Sequence, residues 1–251
     1  MSPESTQNTS PREFLAGRQL VNLPSGTTLE CDIAHPSIRF SPGGSHPAKA
    51  KLAVCLHPWS WLGGGLEDPV LHLLAGLLHE TGFHVIRYNS RGVGKSSGWS
   101  SLTGSREVQD LRELVQWAVG RMQSVDAVVL VGYSYGSLIA SMHPLLSQPK
   151  VSHIIVSYPL GVRHWLTAFR GGSYNTALIE LVHNPQARVL ILYGDHDDFT
   201  ALEAYEAWAR TLTEAAETSA LKIVKVEGAT HFWRERDARA KLVETVEAWL
   251  S

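Results

Sequence analysis

With 251 residues, 44% of them hydrophobic and 18% charged, the chain has the make-up of a globular protein large enough for one sizeable α/β domain. Its formal net charge of −2 leaves no electrostatic footprint for nucleic acid or an acidic membrane surface. No window approaches the ~18 consecutive apolar residues of a membrane-spanning helix, so no membrane partner is expected.

The opening MSPESTQNTSPR is polar and lacks the apolar core of a secretory signal. Residues 1 to 14 read as a disordered arm and 15 to 251 as a single domain. Cys31 and Cys55 fall in strand-like runs and form no spaced framework, which points to reduced, buried thiols and a cytoplasmic location. RQLVNLPSGTTLECDIA reads as two strands about the turn Leu23-Pro24-Ser25-Gly26, SPGGSHPAK as a loop, and KLAVCLH as a buried strand. Helices and strands then alternate. PVLHLLAGLLHE and REVQDLRELVQWAV carry apolar residues at helical spacing, while HVIRYN and DAVVLVG are strands. YGSLIASMHPLL begins a helix that Pro144 bends or ends. HIIVSY and RVLILYG are strands on either side of a less regular stretch, 159 to 187, read as a short cap-like insertion. Thr200 and Glu203 have capping-box spacing before ALEAYEAWARTL, LKIVKVEG is the last strand, and a final helix carries Leu242, Val243, Val246, Trp249 and Leu250 on one face.

Buried strands separated by helices need crossover connections. The fold class is therefore α/β, a mostly parallel central sheet of about eight strands with an antiparallel edge hairpin and helices on both faces. Sites in such sheets lie in loops beyond the carboxyl ends of the strands.

Two of those loops carry chemical signals. RYNSRGVGKSSG ends in Gly-Lys-Ser, as a phosphate-binding loop does, but the required earlier glycine is Asn89 and no helix follows at once. Nucleotide hydrolysis is disfavoured. In VVLVGYSYGSLIA, Gly132-x-Ser134-x-Gly136 sits between a strand and a helix. A serine at such a turn projects its oxygen from a strained backbone, and the helix amides lie beside any oxyanion that develops. GDHDD offers clustered carboxylates but no metal-ligand spacing, so neither metal nor cofactor is expected.

Through that elbow and the loops around it, the chain resembles the α/β-hydrolase superfamily over roughly residues 18 to 250. HPWSWLGGG and RYNSRGVGKSSG are most similar to a short branch with a His-Pro loop and little or no lid. The resemblance implies a catalytic triad of Ser134 as nucleophile, Asp197 as acid and His231 as base, in the order serine, acid, histidine. Asp195 and Asp198 compete with Asp197 for the acid. It also implies an oxyanion hole from the amides of Tyr135 and Trp59, since Pro58 has no N–H, with His57 supporting that loop. Arg91, Gly92, Gly94 and Ser96 match the superfamily's Arg-Gly-x-Gly-x-Ser segment. Trp61, Trp99, Trp165, Phe199 and Trp233 either line a substrate pocket or seal the core beneath it.

The expected function is hydrolysis of a carboxylic ester or thioester of a small molecule through an acyl-enzyme. Amide or carbon–carbon bond cleavage is the alternative chemistry, and a ligand-binding protein with negligible turnover the alternative class. The sequence leaves the natural substrate and the oligomeric state open.

Overall fold

The computed structural model describes residues 14–36, 49–122, 124–168, 171–216 and 221–251. Residues 1–13 of the arm and all of the SPGGSHPAK loop except Lys49 lie outside them. Phe14, assigned to the arm from sequence, packs its ring against His35, His84 and Trp117.

Eight strands form one sheet: β1 (Gly17–Asn22), β2 (Thr28–Ala34), β3 (Ala50–Leu56), β4 (Phe83–Tyr88), β5 (Val125–Tyr133), β6 (Lys150–Val156), β7 (Val189–His196) and β8 (Leu221–Thr230). Their order across the sheet is β1-β2-β4-β3-β5-β6-β7-β8. The hairpin β1–β2 is antiparallel, and β2 also joins β4 antiparallel; every other pairing is parallel. The helices are α1 (Pro69–Glu80), α2 (Ser105–Val119), α3 (Tyr135–Ser141), α4 (Arg163–Leu166), α5 (Gly171–His183), α6 (Leu202–Ala215) and α7 (Arg236–Leu250).

Because side chains alternate across a strand, each central strand feeds two cores. On one face Val128 and Leu130 of β5 meet Leu111, Leu138, Leu178 and Leu212 of α2, α3, α5 and α6. On the other, Val129 and Val131 meet Leu71 and Leu74 of α1 and Leu242 and Val246 of α7. This double burial explains why the central strands are runs of Val, Ile and Leu without polar alternation. Cys31 and Cys55 are both free and buried; burial pushes the Cys55 thiol up to about 12, which makes it unreactive.

Three local expectations change. The stretch 159 to 187 is not irregular throughout, since α5 occupies thirteen residues of it. Tyr174, Leu178, Leu181 and Val182 are its buried stripe, at helical spacing, but the Gly171-Gly172 start reads as loop. The capping box at Thr200 does not form. Ala201 is the N-cap of α6, with no side-chain cap, and the Thr200 hydroxyl instead accepts the Gly161 N–H at 3.3 Å. Finally, α3 ends at Ser141, ahead of Pro144.

The Gly-Lys-Ser loop proves to be architecture. Glu30 of β2 accepts from the Asn89 amide at 2.8 Å and from the Lys95 N–H at 2.9 Å. The Asn89 side-chain carbonyl accepts the Leu66 N–H at 2.8 Å, which ties this loop to the one after β3. Arg91 is buried and grips Asp110 of α2 through two bonds of 2.7 and 2.6 Å, with a third to Thr27. Cutting Asp110→Ala strands a buried guanidinium, so urea denaturation should show a loss of about 3–5 kcal/mol. A loss under about 1 kcal/mol would mean that water replaces the carboxylate there.

Candidate active site

β5 passes into α3 through a single residue, Ser134, with φ 51° and ψ −117°. A residue with a Cβ adopts a positive φ at a cost, and here the surrounding packing enforces it. Both flanking glycines are required by close approach. A Cβ on Gly132 would lie 2.5 Å from the Gly136 carbonyl oxygen, and one on Gly136 would lie 2.3 Å from that of Leu56. The turn thus seats α3 directly on the end of β3 and lifts the Ser134 hydroxyl above the sheet edge.

The ends of β7 and β8 supply the partners. The Ser134 Oγ lies 2.9 Å from His231 Nε2, and His231 Nδ1 lies 2.7 Å from Asp197 Oδ2. A carboxylate only accepts, so Nδ1 carries the ring proton and Nε2 is left to accept from the serine. Asp197 is itself fixed, with Oδ1 accepting the N–H groups of Phe199 and Thr200 at 2.9 and 3.0 Å. The Tyr205 hydroxyl stands 3.2 Å from Oδ2. The Tyr133 hydroxyl donates to the His231 carbonyl at 2.8 Å, and the Phe199 ring meets the imidazole edge-on at 4.6 Å. The neighbouring carboxylates are otherwise occupied: Asp195 accepts the Gly228 N–H and Asp198 the His231 N–H.

Trp59 follows β3 and heads a single 3₁₀ turn, Ser60–Leu62, while Tyr135 is the first residue of α3 and its N–H has no acceptor within the helix. His57 clamps the Trp59 loop. Its Nδ1–H donates to the Pro58 carbonyl at 2.6 Å and its Nε2 accepts the Ser90 N–H at 3.0 Å. Burial pushes its pKa down to about 4, and protonating Nε2 would break the Ser90 bond.

Above Ser134 and His231 lies a cavity of about 250 Å³, walled by Trp59, Leu62, Val162, Trp165, Leu166, Phe199 and Phe232, with Asp68 on its margin. Of the five aromatic residues singled out for the pocket, Trp165 and Phe199 line it. Trp61 and Trp99 do not, and both stand largely in solvent; Trp61 stacks on the outside of Trp59. Trp233 is buried in the core, where a φ of 50° turns its indole back to donate to Ser157. Leu62, Val162, Leu166 and Phe232 were missed because a lone aliphatic or aromatic residue in a loop carries no sequence signature. Asp68 was missed too, although Asp-Pro at a helix start is a legible N-cap. Among the described residues, no helix is long and apolar enough to cross a membrane.

Fold and site together define an α/β hydrolase. The family model for X-Pro dipeptidyl-peptidase, the S15 family, matches residues 25–250, and the chain belongs to that family. It is 25% identical over 186 residues to an uncharacterized protein of Rickettsia prowazekii, covering 74% of this chain and 73% of that one. Among solved structures it is similar to an α/β serine hydrolase homologue from Coxiella burnetii, at 25% identity, a TM-score of 0.70, and coverage of 95% and 100% of the two chains. A serine hydrolase without a lid from Xanthomonas campestris shares the fold, at 24% identity, a TM-score of 0.70, and coverage of 94% and 97%.

Proposed function

We propose that the protein is a serine hydrolase that cleaves a carboxylic ester or thioester through an acyl-enzyme. What carries the reading is the unbroken relay from Ser134 Oγ through His231 to Asp197, at 2.9 and 2.7 Å. In the reaction Ser134 attacks the acyl carbon as its proton passes to Nε2 of His231. Asp197 holds the imidazole in that tautomer and offsets the charge it gains. The N–H groups of Tyr135 and Trp59 receive the oxyanion, each worth ~3 kcal/mol of transition-state stabilisation at comparable sites. His231 then protonates the leaving group, and water repeats the sequence on the acyl-enzyme.

A cavity of about 250 Å³ fits a small acyl or aryl group. Among the described residues of 159 to 187, Val162, Trp165 and Leu166 alone line it, which favours modest soluble substrates over long-chain lipids. Free, buried thiols fit a cytoplasmic setting. The family description favours amide bonds as a second reading, since the same relay cleaves either bond.

The test is intact mass after treatment with a fluorophosphonate. Wild type should gain a single adduct, Ser134→Ala none, and His231→Ala should label at least ~100-fold more slowly. No adduct on folded wild type would leave a ligand-binding protein as the better account.

A further inference from the structure

Of the eight large hydrophobic side chains that stand exposed among the described residues, six surround the mouth of the catalytic cavity. The other two, Leu15 and Leu20, sit on or next to β1. Three loops carry five of the six, and the sixth is Phe232 on the cavity wall. The loops follow β3, β4 and β6, parallel strands whose carboxyl ends share one edge of the sheet. Trp61 and Leu62 come from the first, Trp99 and Leu102 from the second, and Trp165 from the third. Leu62 and Trp165 border the cavity itself. Ser100 and Ser101, between Trp99 and Leu102, line a small cleft with Trp59, Ser60 and Leu166, which joins the second loop to the other two. No step of the hydrolytic mechanism uses Trp61, Trp99 or Leu102, yet these three are 80 to 86% exposed. Apolar surface held in water on this scale marks an interaction site.

The chemistry of the loops points to what covers them. Residues 58–66 and 96–104 contain no Asp, Glu, Lys or Arg, and 157–168 hold Arg163 alone of those types. A face so poor in charge offers no grip to an acidic surface, and the net charge of −2 does nothing to attract one. An indole joins a large apolar ring to one N–H donor, which suits the headgroup zone between water and hydrocarbon. Serine and glycine separate the exposed rings along each loop, so the rings project as isolated points. A close-packed protein interface would need a matching pocket for every one of them, whereas a fluid layer takes any such profile. A second copy seated here would also cap the cavity that holds Ser134 with a rigid surface, where lipid molecules move aside.

We infer that this face docks the protein on a neutral phospholipid layer, with Trp61, Trp99, Leu102 and Trp165 seated among the headgroups. Docking of this kind is peripheral and needs no spanning helix. The cavity of about 250 Å³ still limits the group that enters it, so the layer holds the protein without supplying it long-chain substrate. Binding needs no turnover, so the inference stands apart from the serine-hydrolase reading.

The test is co-sedimentation with phosphatidylcholine vesicles, run on wild type, Trp99→Ser/Leu102→Ser and Trp61→Ser. Wild type should pellet with the vesicles, and salt at about 0.5 M should not release it. Each variant should bind at least ~10-fold more weakly, because its loop loses apolar area to bury. Both should melt within a few degrees of wild type, since the exchanged side chains lie outside the core. Should a variant fail to fold, brominated phosphatidylcholine decides: it should quench wild-type tryptophan fluorescence, and unbrominated lipid should not. Pelleting that either folded variant weakens supports the inference. No pelleting or no quenching, equal pelleting of all three proteins, or pelleting confined to phosphatidylglycerol vesicles and reversed by salt overturns it. So does a concentration-dependent dimer, abolished in the variants, in place of vesicle binding.

Discussion

Exchanging Asp197 for asparagine should lower kcat by about four orders of magnitude and leave the fold nearly untouched. The two oxygens of Asp197 have different duties. Oδ1 accepts two backbone N–H groups, from Phe199 and Thr200, and Oδ2 faces His231 Nδ1. An asparagine must keep its carbonyl where the two amides point, which directs its NH₂ at Nδ1. The imidazole then has to carry its proton on Nε2, and it can no longer accept from Ser134. The fold survives because the turn bonds at Oδ1 survive. Asp195→Asn and Asp198→Asn keep an acceptor for the Gly228 and His231 N–H groups and touch no proton on the relay. Their kcat/KM on p-nitrophenyl acetate should stay within about tenfold of wild type. If Asp197→Asn retained more than a tenth of wild-type activity while Asp195→Asn lost it, the acid would be misassigned.

How much of this was legible in the sequence follows from how local each cause is. The mostly parallel sheet with helices on both faces was legible in buried runs such as VVLVG alternating with one-sided helices, but the order β1-β2-β4-β3-β5-β6-β7-β8 was not, because it is set by tertiary pairing that no local pattern encodes. The elbow was legible because Gly132 and Gly136 are forced by contacts that any helix seated on the neighbouring strand would make. His231 and Asp197 were reached through the resemblance and their strand ends. Choosing Asp197 over Asp195 and Asp198 needed the backbone bonds that occupy each carboxylate. Thr200 shows the opposite failure: its spacing to Glu203 matched a capping box, but the tertiary contact with Gly161 claimed its hydroxyl. Trp61, Trp99 and Trp165 are alike as letters, and all three stand in solvent. Only Trp165 also borders the cavity, because α4 carries it over Ser134.

Acid should unfold this protein well before it titrates ordinary carboxylates. Burial pushes the pKa of His57 and His143 down to about 4 and that of His153 to about 3. His143 and His153 also oppose each other's charge. In the unfolded chain each of these titrates near 6.5. Since the folded values are the lower ones, the unfolded state binds more protons as the pH drops below about 6.5. The stability these residues contribute is complete above that pH and is lost between about 6.5 and 4 for His57 and His143 and between about 6.5 and 3 for His153. At pH 5 each costs ~2 kcal/mol, roughly 6 kcal/mol together, which is comparable to the whole stability of many domains. Glu30, Glu113 and Glu235, whose pKa values are lowered, add loss in the same direction at lower pH, whereas the raised carboxyl of Asp68 acts against it. Scanning calorimetry should therefore give a melting temperature that is level from pH 8 to 7 and falls by at least ~10 °C by pH 5. His153→Leu removes one of the three titrations from the core of β6 and should flatten the descent by about a third. A melting temperature unchanged down to pH 5 would mean that these imidazoles reach water and protonate in the folded state.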